Sequence, residues 1–226
     1  IGDRVMCSGA SAWAEYAIAD HGRAIKIPDK NMDFITASSL PIALATMHNA
    51  IVTIGNFVKG QTILIQGASS GVGLMGLQLA KHLGAKLVIG TSTKIEKFRR
   101  LKSIGADLVV NSKDTTWVEE VLRSTNNEGV DLIIDQLSGY TINENMKASK
   151  VKGIIVNVGR LAGGNAEFNC DLHALRRINY RGVTFRTRSI SEIRDVYSKM
   201  WADCSDLVIK GKLSLPVDKV YQFNDV

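Results

Sequence analysis

A glycine-rich turn holds the residues whose types and spacing could do chemistry in this chain. An apolar run at 62–65 leads into Gly67, Gly71 and Gly73, and a helix-period pattern starts behind them. Glycines allow a tight turn and close backbone approach, and a helix N-terminus presents free N–H groups to phosphate. We predict that Gly67 forms the turn and that Gly73 packs the helix on the strand. Ser70 and Gly71 would then approach a dinucleotide pyrophosphate, with a plain structural turn as the alternative.

The end of the next predicted strand, at 86–90, indicates which dinucleotide is preferred. A site that prefers NAD usually places Asp or Glu there to bind the ribose 2′-hydroxyl, whereas this chain has Gly90, Thr91 and Ser92. With no carboxylate to repel a 2′-phosphate, Ser92 and Lys97 could bind one, so we expect NADP(H). A solvated basic helix face is the alternative. The basic residues of that helix are Lys94, Lys97, Arg99, Arg100 and Lys102.

Strands and helices alternate along most of the chain. The opening predicts β-hairpins, and a long helical pattern at 33–54 is interrupted at Pro41. Six strands in alternation with helices predict an α/β fold, a doubly wound parallel Rossmann sheet with its ligand at the carboxyl edge. Asp135 ends the fourth strand and is either a turn-capping acid or a functional one. Predicted strands are 4–7, 12–18, 24–27, 62–65, 86–90, 108–110, 131–135, 153–159 and 182–186, and predicted helices are 74–83, 96–104, 116–124, 142–148, 171–177 and 191–209.

Composition narrows the classes of function. With 226 residues, 45% of them hydrophobic, the chain can bury a core and exceeds one nucleotide-binding unit. Its net charge of +6 is dispersed among acids and is not interleaved with aromatic residues, so we expect no nucleic-acid partner. Cys7, Cys170 and Cys204 form no metal-type cluster, and no apolar run reaches the ~18 residues of a membrane span. We therefore expect a cytoplasmic protein with reduced thiols and no membrane partner.

Five short segments and the glycine loop occur in an order and spacing typical of one superfamily. The segments are Gly-Asp-Arg-Val at 2–5, Trp-Ala-Glu-Tyr at 13–16, Leu-Pro at 40–41, Lys-His-Leu-Gly-Ala at 81–85 and Leu-Lys-Ser-Ile-Gly-Ala-Asp at 101–107. In these the chain resembles the medium-chain dehydrogenase/reductase superfamily, in its zinc-independent, zeta-crystallin-like quinone oxidoreductase branch. The resemblance implies a remnant of a GroES-like β domain at 1–40, a dinucleotide-binding domain at 41–188, and a C-terminal helix returning to the catalytic domain at 189–226. It also implies an internal fragment whose proton donor lies in the missing N-terminal part, so we name no catalytic residue.

The resemblance further implies a set of cofactor-binding positions. Thr46 matches a residue whose hydroxyl approaches the nicotinamide carboxamide, although a helical Thr also bonds its own turn. Ser112 and the preceding Asn stand where the family often has a tyrosine, and Phe185 is equally suited to a core. The full set is Thr46 for the carboxamide; Ser70, Gly71 and Val72 for the pyrophosphate; Ser92, Lys97 and Ser112 for the adenosine half; and Gly159, Arg160, Leu161, Phe185 and Arg186 for the nicotinamide half.

Zinc is argued against by the residues that the resemblance aligns with its ligands. The third catalytic ligand would fall at Ile42, which cannot bind a metal, and the four-cysteine lobe is missing. We therefore expect no metal. The resemblance implies an NADPH-dependent reduction of a quinone or an α,β-unsaturated carbonyl. The alternatives are an enoyl-thioester reductase of the same superfamily and a non-enzymatic RNA-binding or crystallin-like relative.

Two further expectations concern a competing family and the assembly. The glycine loop also resembles that of the short-chain dehydrogenases, but no Tyr-x-x-x-Lys occurs in the chain, so that hypothesis fails. The sixth predicted strand, continued through 183–188, ends the sheet, and an unprotected edge strand favours pairing. In resembling reductases this edge pairs with its two-fold mate, so we expect a homodimer.

Overall fold

The computed structural model describes residues 1–28 and 31–225. The strands are β1 (Val5–Met6), β2 (Ile25–Lys26), β3 (Thr62–Ile65), β4 (Leu87–Thr91), β5 (Leu108–Val110), β6 (Val130–Asp135), β7 (Ser149–Asn157) and β8 (Asn179–Gly182). The α-helices are α1 (Phe34–Ser38), α2 (Leu40–His48), α3 (Gly71–His82), α4 (Phe98–Ile104), α5 (Trp117–Ser124), α6 (Ile142–Ala148), α7 (Cys170–Arg176) and α8 (Ile190–Ile209).

The chain divides into two compact units. One consists of Ile1–Ala45 together with Arg188–Val226, and the other is Thr46–Thr187. In the first unit β1 and β2 pair antiparallel. Its α8 begins at a capping box, in which Ser189 accepts from the Glu192 N–H while the Glu192 carboxylate accepts from the Ser189 N–H. The GroES-like origin of this unit stays a prediction.

The second unit is built on six parallel strands in the order β5-β4-β3-β6-β7-β8. The predicted doubly wound α/β sheet is therefore confirmed. Ile63, Leu64 and Ile65 of β3, like Ile133 and Ile134 of β6, are fully buried because helices cover both faces of a parallel sheet. The strand order reverses between β3 and β6, which places a ligand crevice beyond the carboxyl ends of these two strands.

Two predicted strands are wrong. The segment 12–18 contains bends at 13–16 and no strand, and Trp13, Tyr16 and Ile18 are exposed, so its apolar residues have no face to bury within the first unit. The sixth strand ends at Gly182 and begins at Asn179, before the predicted 182–186, so Phe185 and Arg186 lie beyond it. A side-chain turn ends it, because the Thr184 hydroxyl accepts the Arg186 N–H at 3.2 Å and competes with sheet pairing. The predicted dimer edge at 183–188 is consequently not a strand.

One helical stretch bears on the membrane expectation. Within the described residues, Phe34–Ile54 is long and apolar enough by length and composition to cross a membrane, contrary to the expectation that no run would qualify. It comprises α1, α2 and the π-helical segment Asn49–Ile54. Of its most apolar 18-residue window, 61% is buried inside the protein. A helix in the core of a soluble protein can have the same length and composition, so this stretch is weak evidence for a membrane span.

Candidate functional site at the carboxyl edge of the sheet

The turn after β3 has the geometry that its glycines were expected to supply. Gly67 has φ +67°, a left-handed conformation that favours glycine, and the Ser70 N–H donates to the Gly67 carbonyl at 3.1 Å. The Thr91 hydroxyl accepts from the Gly67 N–H at 3.0 Å and donates to the Gln66 side-chain oxygen at 2.7 Å. The end of β4 therefore holds the glycine loop in place.

Ser70 and Gly73 seat the start of α3 on this loop. Ser70 is the N-cap, and its hydroxyl accepts from the Gly73 N–H at 3.0 Å. The same hydroxyl lies 3.0 Å from both the Gly67 carbonyl and Gln136 Oε1. A Cβ on Gly73 would lie 2.6 Å from the Gly67 carbonyl oxygen and 2.7 Å from Ala68 Cα. Gly73 thus packs the helix closely against the loop after β3, whereas its spacing had predicted packing on the strand itself.

Two backbone N–H groups at the start of α3 remain available. Ser70 satisfies the N–H groups of Gly73 and Leu74, whereas those of Gly71 and Val72 have no partner within the described residues. Gly71 is exposed, and a Cβ there would meet no atom within 4 Å. Free amides at the N-terminus of a 12-residue helix form an anion-binding site. Gly71 and Val72 are two of the three positions, with Ser70, that were predicted to bind the pyrophosphate.

The residues predicted for the 2′-phosphate lie around the ends of β4 and β5. Ser92 is buried, and its Oγ accepts from the Lys94 N–H at 3.2 Å, whereas Lys97 is exposed. Ser112 is 4% exposed, and its hydroxyl has no hydrogen-bond partner in the described part of the chain. Between Thr91 at the end of β4 and Lys94 there is no acidic residue. This part of the crevice therefore offers the hydroxyls of Ser92 and Ser112 and the ammonium of Lys97, with Glu96 next to Lys97 in sequence.

The loops after β6 and β7 lie together at the other side of the switch point. Gly159, predicted for the nicotinamide half, packs so closely that a Cβ would lie 2.5 Å from the Gln136 carbonyl oxygen. Arg160 and Leu161 follow it and are exposed. Phe185 is half-buried and Arg186 exposed, both in a turn beyond β8 rather than at a strand end. Thr46 is half-buried on α2, next to Met47, whose sulfur faces Gly76 of α3.

Asp135 and Gln136 are the residues whose importance sequence reasoning underestimated. Asp135 Oδ1 accepts the N–H groups of Leu137 and Ser138, both at 2.9 Å, so it caps the turn. Gln136 donates to the Gln66 carbonyl at 2.9 Å and thereby ties the β6 loop to the glycine loop. In the sequence, the functional importance of Asp135 was indicated only by its position, with Gln136, at the end of an apolar strand. No local pattern marked Gln136, because its side-chain partners Gln66, Gly67 and Ser70 are all distant in sequence.

A zinc site is not supported by the donor atoms present. Ile42 is 64% exposed on α2 and carries no metal-binding atom. Within residues 1–28 and 31–225, no three His, Cys, Asp or Glu side chains are grouped so that they could hold a metal ion. The residues therefore do not fit zinc, and its absence from the protein stays a prediction.

Comparison with known proteins assigns both fold and family. The sequence profile of the zinc-binding dehydrogenases matches residues 71–203. Reducing polyketide synthase hmp8 of Hypomyces subiculosus is 38% identical over 127 residues, which are 55% of this chain and 5% of that protein. Highly reducing polyketide synthase phiA of Fungal sp. (strain ATCC 74256) is 33% identical over 130 residues, 57% of this chain and 5% of that protein. The matched part thus spans only a small fraction of these relatives.

Solved structures with this fold include proteins with different activities. A mycobacterial protein complexed with NADPH is 24% identical with a TM-score of 0.88, covering 100% of this chain and 69% of the other. CurK enoyl reductase and a Pseudomonas syringae quinone oxidoreductase are each 23% identical with a TM-score of 0.76, covering 88% and 90% of this chain and 58% and 62% of theirs. An NAD-dependent alcohol dehydrogenase is 27% identical with a TM-score of 0.76, covering 91% of this chain and 56% of the other. The fold is therefore common to NADPH- and NAD-using proteins.

Proposed function

Because the chain belongs to the zinc-binding dehydrogenase family of the medium-chain dehydrogenase/reductase superfamily, we propose that it binds NADPH and reduces a carbon–carbon double bond conjugated to a carbonyl, without zinc. The observation that carries the proposal is the pair of available N–H groups of Gly71 and Val72 at the N-terminus of α3. They stand at the switch point of the sheet, where dinucleotides bind. Ser70 and Gln136 hold the loop so that the two amides are fixed before a pyrophosphate arrives.

The preference for NADPH over NADH rests on the adenosine side of the crevice. A 2′-phosphate adds negative charge, which the exposed Lys97 would attract and which no carboxylate between Thr91 and Lys94 would repel. The buried hydroxyls of Ser92 and Ser112 line the neighbouring strand ends. The NADPH complex among the structural neighbours agrees with this preference, although the NAD-dependent neighbour shows that the fold alone does not impose it.

When bound, the nicotinamide supplies the hydride. The chain's own residues then have to bind and orient the dinucleotide: the α3 amides at the pyrophosphate, and the tightly packed loops after β6 and β7 at the nicotinamide half. We assign no proton donor within the chain.

An enoyl thioester is the substrate class that the curated relatives favour, because both are reducing polyketide synthases and one structural neighbour is an enoyl reductase. In such a substrate the hydride adds to the β-carbon and a proton to the α-carbon. A quinone is the second candidate, favoured by the similarity to a quinone oxidoreductase. Purified protein supplied with NADPH and either a crotonyl thioester or a benzoquinone separates the two. Oxidation of NADPH with the thioester and release of the saturated thioester are the expected result, whereas turnover of the quinone alone would replace this substrate assignment.

The cofactor preference is tested by replacing Lys97. Lys97→Ala should weaken NADPH by about 1–3 kcal/mol, the range for a lost charge-assisted hydrogen bond, and leave NADH nearly unchanged. Lys102→Ala is the matched control, since Lys102 is an exposed cation at the far end of α4. Fluorescence titration of both cofactors measures the effect. Equal losses of NADPH and NADH affinity in the Lys97 variant would contradict the assignment.

A further inference from the structure

Asp135 is a fully buried carboxylate that the proposed reaction does not use directly. Its side chain is 0% exposed, and Oδ1 accepts the two N–H groups of the following turn. Oδ2 has no hydrogen bond of ordinary geometry within the described residues, although the Asn145 amide is close enough to influence the carboxyl. A buried carboxylate with one unsatisfied oxygen lowers the stability of the folded protein. Its presence beside the crevice is explained if the Asp135 side chain holds the neighbouring backbone in a required position.

The turn that Asp135 caps is strained. Ser138 has φ 55° and ψ −145°, a combination that residues other than glycine rarely adopt. The Asp135 carboxylate accepts the Ser138 N–H, and the Ser138 hydroxyl donates to the Gly159 carbonyl at 2.8 Å. The Asn157 amide donates to the Ser138 hydroxyl and, at 3.2 Å, to the Tyr180 hydroxyl. The strained conformation therefore aims the Ser138 side chain at the loop that follows β7.

Backbone contacts join the same two loops. The Asp135 carbonyl accepts the N–H groups of Val158 at 2.8 Å and Gly159 at 3.1 Å, and the Gln136 carbonyl accepts the Leu161 N–H at 3.1 Å. A Cβ on Gly139 would lie 2.3 Å from the Ala162 carbonyl oxygen. The loop at 136–139 and the loop at 158–162 are thus packed as one body, to which the Asp135 carboxylate contributes the anchor of the strained turn.

We infer that Asp135 is a positioning residue for the nicotinamide half of the dinucleotide, acting through Ser138 on the Gly159 backbone. The inference rests on the proposed function. The two halves of a dinucleotide lie on opposite sides of the switch point. With the 2′-phosphate end beside β4 and β5, the nicotinamide end lies over the loops after β6 and β7. Loss of the anchor would then disturb one half of the cofactor and leave the other half in place.

This asymmetry gives the experiment its readout. NADPH contacts both sides of the switch point, whereas 2′,5′-ADP represents only the adenosine half. Asp135→Ala should weaken NADPH at least tenfold and change 2′,5′-ADP affinity less than twofold. Asp135→Asn keeps an oxygen acceptor for the two N–H groups and should restore NADPH binding to within about threefold of the original. Asp131→Asn is the matched control: it lies on the same strand and accepts the Thr62 N–H at 2.8 Å, but at the opposite edge of the sheet.

A second variant covers the case in which Asp135→Ala does not fold. Ser138→Gly removes the hydroxyl while glycine tolerates the positive φ, so it should fold and show the same selective loss of NADPH affinity. Unchanged NADPH affinity in a folded Asp135→Ala or Ser138→Gly variant would overturn the inference, and so would equal losses for NADPH and 2′,5′-ADP. Failure of the original protein to bind either ligand would instead refute the proposed function.

Discussion

Replacing Gly73 with alanine tests how α3 is seated on the loop after β3. The added Cβ would lie 2.6 Å from the Gly67 carbonyl oxygen, 2.7 Å from Ala68 Cα and 2.8 Å from the Ala68 carbonyl carbon. All three are backbone atoms, which cannot rotate away as a flexible side chain can. The loop itself is held by the Ala68 N–H, which donates to the Thr91 carbonyl at 3.0 Å. Either the helix or the loop must therefore shift.

The expected cost follows from two opposing terms. Overpacking of this kind destabilises proteins by about 1–3 kcal/mol, and three backbone contacts below 3.0 Å put Gly73→Ala at the upper end. Alanine regains up to about 1 kcal/mol of helix propensity over glycine. The net loss is about 2 kcal/mol, which lowers the melting temperature of a chain of this length by about 4–8 °C.

Gly71→Ala is the matched control within the same helix. A Cβ on Gly71 meets no atom within 4 Å, so the substitution should leave the melting temperature unchanged or raise it slightly. Thermal unfolding followed by circular dichroism at 222 nm measures both variants beside the original protein. If Gly73→Ala melts with the original protein, or if both alanine variants fall equally, the close packing described for Gly73 does not control the stability of this unit.

Three further outcomes are expected. Dialysis against a chelator should leave reductase activity unchanged, and elemental analysis should find no stoichiometric zinc, because Ile42 offers no metal ligand. One zinc per chain that is lost together with activity would contradict this. Burial raises the pKa of Asp135, so the stability that this group contributes is present below pH ~4, the unfolded pKa, and is lost as pH rises through the folded pKa. The free energy of unfolding of the original protein, measured relative to that of Asp135→Asn, should therefore fall across that pH window, by about 1.4 kcal/mol for each unit by which the folded and unfolded pKa differ. A difference between the two proteins that does not depend on pH would refute this. Because the predicted edge at 183–188 is not a strand, we now propose a homodimer through the outer edge of β8. The Val183 N–H donates inward to the Asn157 carbonyl, so that of Gly182 faces outward, and Gly182→Pro should convert a dimer to a monomer in sedimentation. An original protein that is already monomeric at micromolar concentration would end the proposal.

Local patterns in the sequence determined most elements of the second unit. The predicted strand at 108–110 and helix at 142–148 agree with β5 and α6, and the remaining predicted helices end within one residue of those observed. Periodicity and turn chemistry act over a few residues, so they can be recognised in a single chain. The parallel sheet followed as well, because strands that alternate with helices have few other ways to bury both faces.

Tertiary contacts decided what local patterns could not. The strand pattern at 12–18 suited a hairpin, yet no partner strand pairs with it in the described structure, since a pattern shows which side chains could be buried and not whether a surface covers them. Asp135 could be recognised as a strand-ending acid, but its link through Ser138 to Gly159 depends on residues more than twenty positions away. Gln136 shows the same limit, because its bonds to Gln66 and Ser70 cross the switch point. The sequence predicted where a dinucleotide binds, and only the folded sheet, by bringing distant loops into contact, decided which residues hold those loops in place.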